Sequence, residues 1–324
     1  MKRRELLLAS AALLAASGSH AQAQRMRRIG VLFPGTQGQQ GAFVDSFAKR
    51  LGELGWVQGK TIAIESRYAD NRHERLPALA KELIEHKVEL IVTSSTPAAL
   101  AAKNSTSSVP VVFSAVSDPV ALGLVQSLGR PGGNATGTSS LVVEVAAKQL
   151  ELLKALVPKL ERAAVLLTPG HPANRMLTEQ LQRAGAQAGV ALVVVEAGTP
   201  EALEPAFVKA ESERAAAMVI PPDPLYFGQR TQIAQLAKRH RIATAFAARG
   251  FVVAGGLVSY GINYVGEFVR TAVYVDKILR GAKPADLPVE QADRFEIVVN
   301  RKAAADLGLT IPQAVLLQAT EVIE

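Results

Sequence analysis

The side chains best suited to grip a small charged molecule gather where apolar runs stop. They are Thr36 and Gln37, then Ser94-Ser95-Thr96 before Pro97, then Ser117 and Asp118 before Pro119, and finally Asp223 between Pro222 and Pro224. Hydroxyls and free backbone N–H groups at a helix start suit a carboxylate. Asp118 or Asp223 suits an ammonium group. The set fits a zwitterion such as an amino acid, with Phe246 and Tyr260 as candidates to stack on its side chain. Each residue also has a plainer reading. Ser95 and Thr96 are typical helix caps, Asp118 and Asp223 shape turns beside proline, and single aromatics belong to cores.

Catalytic patterns are missing. Gly256-Leu257-Val258-Ser259-Tyr260-Gly261 lacks the G-x-S-x-G spacing of a nucleophile elbow. There is no P-loop and no H-E-x-x-H. The five histidines, His20, His73, His86, His171 and His240, are scattered in sequence, so no metal site is expected. Gly35, Gly38 and Gly41 follow a strand-like run, but the dinucleotide fingerprint needs G-x-G-x-x-G. We expect no cofactor, and read 34–41 as a mobile loop over a cleft.

The elements that must position these groups alternate. Buried-strand patterns cover 28–33, 61–68, 88–93 and 109–116. Helical apolar stripes lie between them at 42–54, 76–85 and 98–103, and a short helix is expected over 121–128. The alternation starts again with helices at 147–157, 173–189, 201–213 and 229–239 and strands at 162–168, 191–196, 217–221 and 242–247. This is the order of doubly wound parallel sheets, whose ligands sit beyond the carboxyl ends of the strands. Late elements, a helix over 265–279, a strand over 295–300 and a helix over 302–307, are too few for a third domain. They are expected to return to the lobes already built. The fold class is therefore α/β, with two doubly wound parallel-sheet lobes joined by a multi-strand hinge. Residues 28–137 with 262–290 form one lobe, and 138–261 with 291–324 form the other.

Residues 1–23 read as a signal peptide: Lys2, Arg3 and Arg4, an apolar run, then Ala21-Gln22-Ala23. Export by the general secretory or the twin-arginine route, to the periplasm, is expected. The apolar run is shorter than the roughly 20 residues that span a bilayer, and no Cys is available for lipid attachment or disulfides. A soluble protein without a permanent membrane anchor is expected, and it is expected to be a monomer. A net charge of +7 on 324 residues with 5% aromatics, and no basic run interleaved with aromatics, argues against nucleic-acid binding.

Several segments together resemble the exported substrate-binding proteins of ABC transporters, of the tryptophan/tyrosine type. They are GELGWVQGK at 52–60, TPAALA at 96–101, Asp118-Pro119-Val120, RPGGNATG at 130–137, GGLVSYG at 255–261 and AKPADLPVEQ at 282–291. The resemblance covers nearly all of the chain beyond the signal. It implies a type 1 periplasmic-binding-protein fold, capture of a small ligand between the lobes, and delivery to an ABC permease in the inner membrane. It also places Thr96 and Asp118 at the cleft. Two other functions stay open at this point. One is a sensing module that presents the closed lobes to a signalling receptor. The other is an exported enzyme on the same scaffold.

Overall fold

The computed structural model describes residues 26–324, so the expected signal peptide lies outside the described residues. The first sheet contains β1 (Arg27–Phe33), β2 (Ile62–Tyr68), β3 (Leu90–Ser94), β4 (Val111–Val116), β5 (Ala135–Ser139) and the short β11 (Glu290–Gln291), in the order β11-β5-β4-β3-β1-β2. All its pairings are parallel. Strands buried on both faces should be apolar throughout, and β1 is buried from Ile29 to Phe33. Helices α1 (Gln37–Glu53), α2 (Leu76–Glu85) and α3 (Thr96–Ser105) provide the crossovers.

The second sheet contains β6 (Arg162–Leu167), β7 (Ala191–Glu196), β8 (Ala217–Ile220), β9 (Ala243–Phe246), β10 (Val258–Gly261), β12 (Glu296–Asn300) and β13 (Glu321–Ile323), in the order β13-β12-β10-β9-β8-β6-β7. It is covered by α4 (Val142–Leu156), α5 (Asn174–Ala188), α6 (Leu203–Ser212), α7 (Pro224–Gly228), α8 (Arg230–Arg239) and α9 (Arg249–Val253). Here β12 runs antiparallel to β10, an edge arrangement that purely alternating β and α elements do not announce.

The chain passes between the sheets at 140–141, 262–263 and 292–295. After the second passage α10 (Tyr264–Leu279) returns to the first lobe. Its Phe268 ring lies 5.3, 5.7 and 5.4 Å from Phe33, Phe43 and Phe47. Burying such a side chain contributes about 1.5–3 kcal/mol, and this cluster also fixes Phe43. Arg270 on α10 joins the passages, with guanidinium nitrogens 3.1 Å from Glu290 and 3.6 Å from Asp293. Two glycines let strands meet near the passages. A Cβ on Gly137 or on Gly261 would lie 1.8 Å from the carbonyl oxygen of Phe113 or of Ala247.

Two local expectations are corrected. Residues 37–41 are the first turns of α1 rather than a loop. Thr36 caps the helix and exchanges hydrogen bonds with Gln39 in a capping box, a local signature that outweighs the glycines. Residues 121–128 form turns, not a helix. Leu122 N–H donates to Asp118 O and Leu124 N–H to Pro119 O, and Gly123 between them adopts φ +70°, which ends helical winding.

Candidate functional site

A cleft of about 1070 Å³, open mouth included, runs between the lobes at the carboxyl ends of the strands, where open α/β sheets bind ligands. From the first lobe come Gln39, Gln40 and Phe43 of α1, Ser94, Ser95 and Thr96 from the end of β3 to the start of α3, and Ser114, Ala115 and Ser117 along β4 and just beyond it. From the second come Thr168, His171 and Asn174 after β6, and Asp223, Tyr226 and Phe227 after β8. Tyr264, at the start of α10, also lines it.

Ser95 has φ +78° and ψ 158°, a region almost reserved for glycine that costs of order 1–3 kcal/mol. It occupies the cap position of α3, yet its hydroxyl makes no cap hydrogen bond. The Ser94 and Ser95 hydroxyl oxygens are buried without a partner. Thr96 is spoken for: its Oγ1 accepts from Ser117 N–H at 3.1 Å and lies 3.3 Å from the Ser117 hydroxyl. This end of the cleft offers neutral hydroxyls over a helix start.

The opposite wall carries charge. Asp223 is only 6% exposed. Its Oδ2 accepts from the Thr168 hydroxyl and its Oδ1 from Leu225 N–H, both at 2.8 Å. Asn174 braces the Thr168 carbonyl at 2.8 Å. Burial, with the Asp223 charge second, pushes the Tyr226 phenol well above its ordinary range. Burial first, and His73 of the first lobe after it, hold His171 below its ordinary 6.5, against the pull of Asp223. No Lys or Arg lines the cleft among the described residues. The site is thus one carboxylate facing neutral donors, with Phe43, Phe227 and Tyr264 as walls.

Of the residues expected from sequence, the structure brings together Ser95, Thr96, Ser117 and Asp223. It places the others elsewhere. Thr36 is engaged in the α1 cap, and Gln37 on the first turn is exposed; neither lines the cleft. Asp118 is exposed, accepts from Val120 and Ala121 N–H, and borders a separate crevice with Glu144 and Arg183. Phe246 is fully buried and stacks on Phe251 at 4.6 Å. Tyr260 stacks on Phe295 at 5.5 Å, on the hinge side. Thr168, His171 and Asn174 escaped the sequence reading, although Thr168-Pro169-Gly170-His171 ends a strand just as the other polar loops do. Gln39 and Gln40 were hidden by the loop assignment, and Phe43 by its place on the apolar stripe of the helix read over 42–54.

The lobes approach closely. A Cβ on Gly228 in the second lobe would lie 1.8 Å from Gln39 Nε2 of the first. The match to solved structures agrees. The chain superposes on an ABC domain in complex with L-Trp from Streptococcus pneumonia with a TM-score of 0.84, at 27% identity over 92% of this chain and all of that one. Against the ligand-free, open structure of a substrate-binding protein with adhesive properties from Clostridium difficile the TM-score is 0.65, at 29% identity over 92% and 99%. At equal sequence distance, the lobes therefore stand nearer the arrangement of the L-Trp complex. In sequence the chain is 29% identical over 264 residues to a tyrosine-binding protein of Clostridioides difficile strain R20291, covering 81% of this chain and 75% of that protein. The family model described as ABC transporter substrate binding protein matches residues 30–323, and the chain belongs to that family.

Proposed function

We propose that this chain is an exported receptor that captures an amino acid with a large aromatic side chain and hands it to an ABC permease of the inner membrane. It works as a periplasmic monomer without turnover. The observation that carries this reading is the pairing of a single buried carboxylate, Asp223, with the unpartnered hydroxyls of Ser94 and Ser95 across an aromatic-walled cleft that no Lys or Arg lines among the described residues. An ammonium group satisfies the first and a carboxylate the second. A second negative charge on the ligand would meet no cation, which disfavours dicarboxylates. The tyrosine-binding relative and the L-Trp complex support the aromatic side chain.

The test is a thermal-shift and calorimetry screen of the amino acids, common sugars and aromatic acids. L-tryptophan or L-tyrosine should stabilise the chain by about 2.7 kcal/mol at a hundredfold excess over Kd. A response to sugars or aromatic acids, with none to any aromatic amino acid, would overturn the reading.

A further inference from the structure

We propose that His171 is a ligand-binding residue of the second lobe whose Nε2–H takes one oxygen of the ligand's carboxylate. The proposal rests on the amino-acid reading above and deepens it. His171 lines the cleft in the loop between β6 and α5. The backbone N–H of Ala173 donates to its Nδ1 at 3.2 Å. A neutral imidazole that accepts at Nδ1 carries its proton on Nε2. Among the described residues no acceptor meets that N–H, so it is left for the cleft's occupant.

The surroundings keep the ring neutral. Burial and His73 of the first lobe oppose a positive charge, while Asp223 favours one; the Tyr226 and Tyr264 phenols share the cleft, and burial holds both in the neutral form. Protonation would also break the Ala173 hydrogen bond, because a protonated Nδ1 cannot accept. The ammonium and carboxylate of an amino acid share one carbon. A ligand whose ammonium reaches Asp223 therefore brings a carboxylate oxygen to the neighbour of Asp223. The Ser94 and Ser95 hydroxyls take the other oxygen from the first lobe. Held from both sides, the carboxylate couples closure to its own presence.

The sign of the pH effect follows. The ring's pKa is lowered in the closed cleft and returns toward 6.5 when the cleft opens to water. Binding then weakens as pH falls through the ordinary imidazole range, because closure onto a protonated ring carries the burial cost of its charge and breaks the Ala173 hydrogen bond. The weakening is read as a rise in Kd from pH 7.5 to 5.5.

The experiment measures Kd for L-tryptophan and for tryptamine, which lacks the carboxylate, at pH 7.5 and 5.5, on the exported chain and on His171→Leu and His171→Gln. His171→Leu should weaken L-tryptophan about tenfold and tryptamine less than twofold. His171→Gln, which restores an N–H donor without a titrating ring, should return L-tryptophan to within threefold and remove the pH dependence. Equal losses for both ligands, or an unchanged pH profile in His171→Gln, would overturn the proposal. Imidazole ¹⁵N NMR of the ligand-free chain reads the tautomer directly. A proton on Nε2 supports the assignment, and a proton on Nδ1 ends it. Failure of the wild-type chain to bind any aromatic amino acid would instead sink the functional reading, and the NMR result would still stand by itself.

Discussion

Asp118 and Asp223 look interchangeable. Each ends an apolar strand, each precedes a proline, and each carboxylate accepts the backbone N–H two residues on, from Val120 at 3.2 Å and from Leu225 at 2.8 Å. Yet Asp118 stands in solvent while Asp223 is buried in the cleft wall. The difference begins in β4. Its register against β5 runs through Phe113↔Gly137 and resumes at Val116↔Ser139, so β4 carries one extra residue, with Ala115 at φ +51°. An extra residue slips the two-residue alternation of a strand by one. Ser114 faces the cleft, and an unbroken strand would carry that face on to 116 and 118. The bulge gives it to Ala115 and Ser117 instead. No bulge interrupts β8 where it pairs with β9. Beyond that strand Thr168 takes the second oxygen of Asp223 and holds it inward. The same Asp-Pro pair thus makes an exposed turn in one lobe and a buried charge in the cleft wall of the other.

This contrast can be broken by substitution. Asp223→Asn keeps shape and removes charge, and should weaken L-tryptophan about a hundredfold, close to 2.7 kcal/mol. The deaminated analogue indole-3-propionate should bind the variant no worse than wild type, and calorimetry with both ligands reads the difference. Gly228→Ala tests the meeting of the lobes rather than either wall. The added methyl must displace the flexible Gln39 amide, so L-tryptophan affinity should fall about three- to tenfold with the melting temperature of the free chain unchanged. An affinity unchanged by that methyl would show that the lobes do not need this approach. The smallest effect belongs to Asp118→Ala. Loss of its turn hydrogen bonds should cost about 0.5–1 kcal/mol of stability, read by chemical denaturation, with L-tryptophan affinity altered less than twofold. A tenfold loss of affinity there would erase the distinction between the two aspartates.

Much of the architecture was legible in residue order. Alternating buried runs and amphipathic stripes are local patterns, set by whether a side chain sits on an apolar face, and they predict the two α/β lobes well. The returning tail was also foreseeable, because its elements could not bury a core by themselves. Within the site, Ser95, Thr96, Ser117 and Asp223 were recoverable from one rule, that polar strand ends face a cleft. The rule would have added Thr168 and His171 had it been applied to β6. Phe246 and Tyr260 were misplaced because an aromatic in a strand does not declare which face it occupies; here Phe251 and Phe295 claim the two rings.

The sequence alone, then, determined the lobes, the strand ends and the chemistry gathered there, since these depend on residue type and short-range period. Only the tertiary structure decided which strand ends look into the cleft and which aspartate is buried. The bulge in β4 shows only in its pairing with β5, and Thr168 reaches Asp223 from the end of a strand 55 residues away, so neither is encoded in a local pattern.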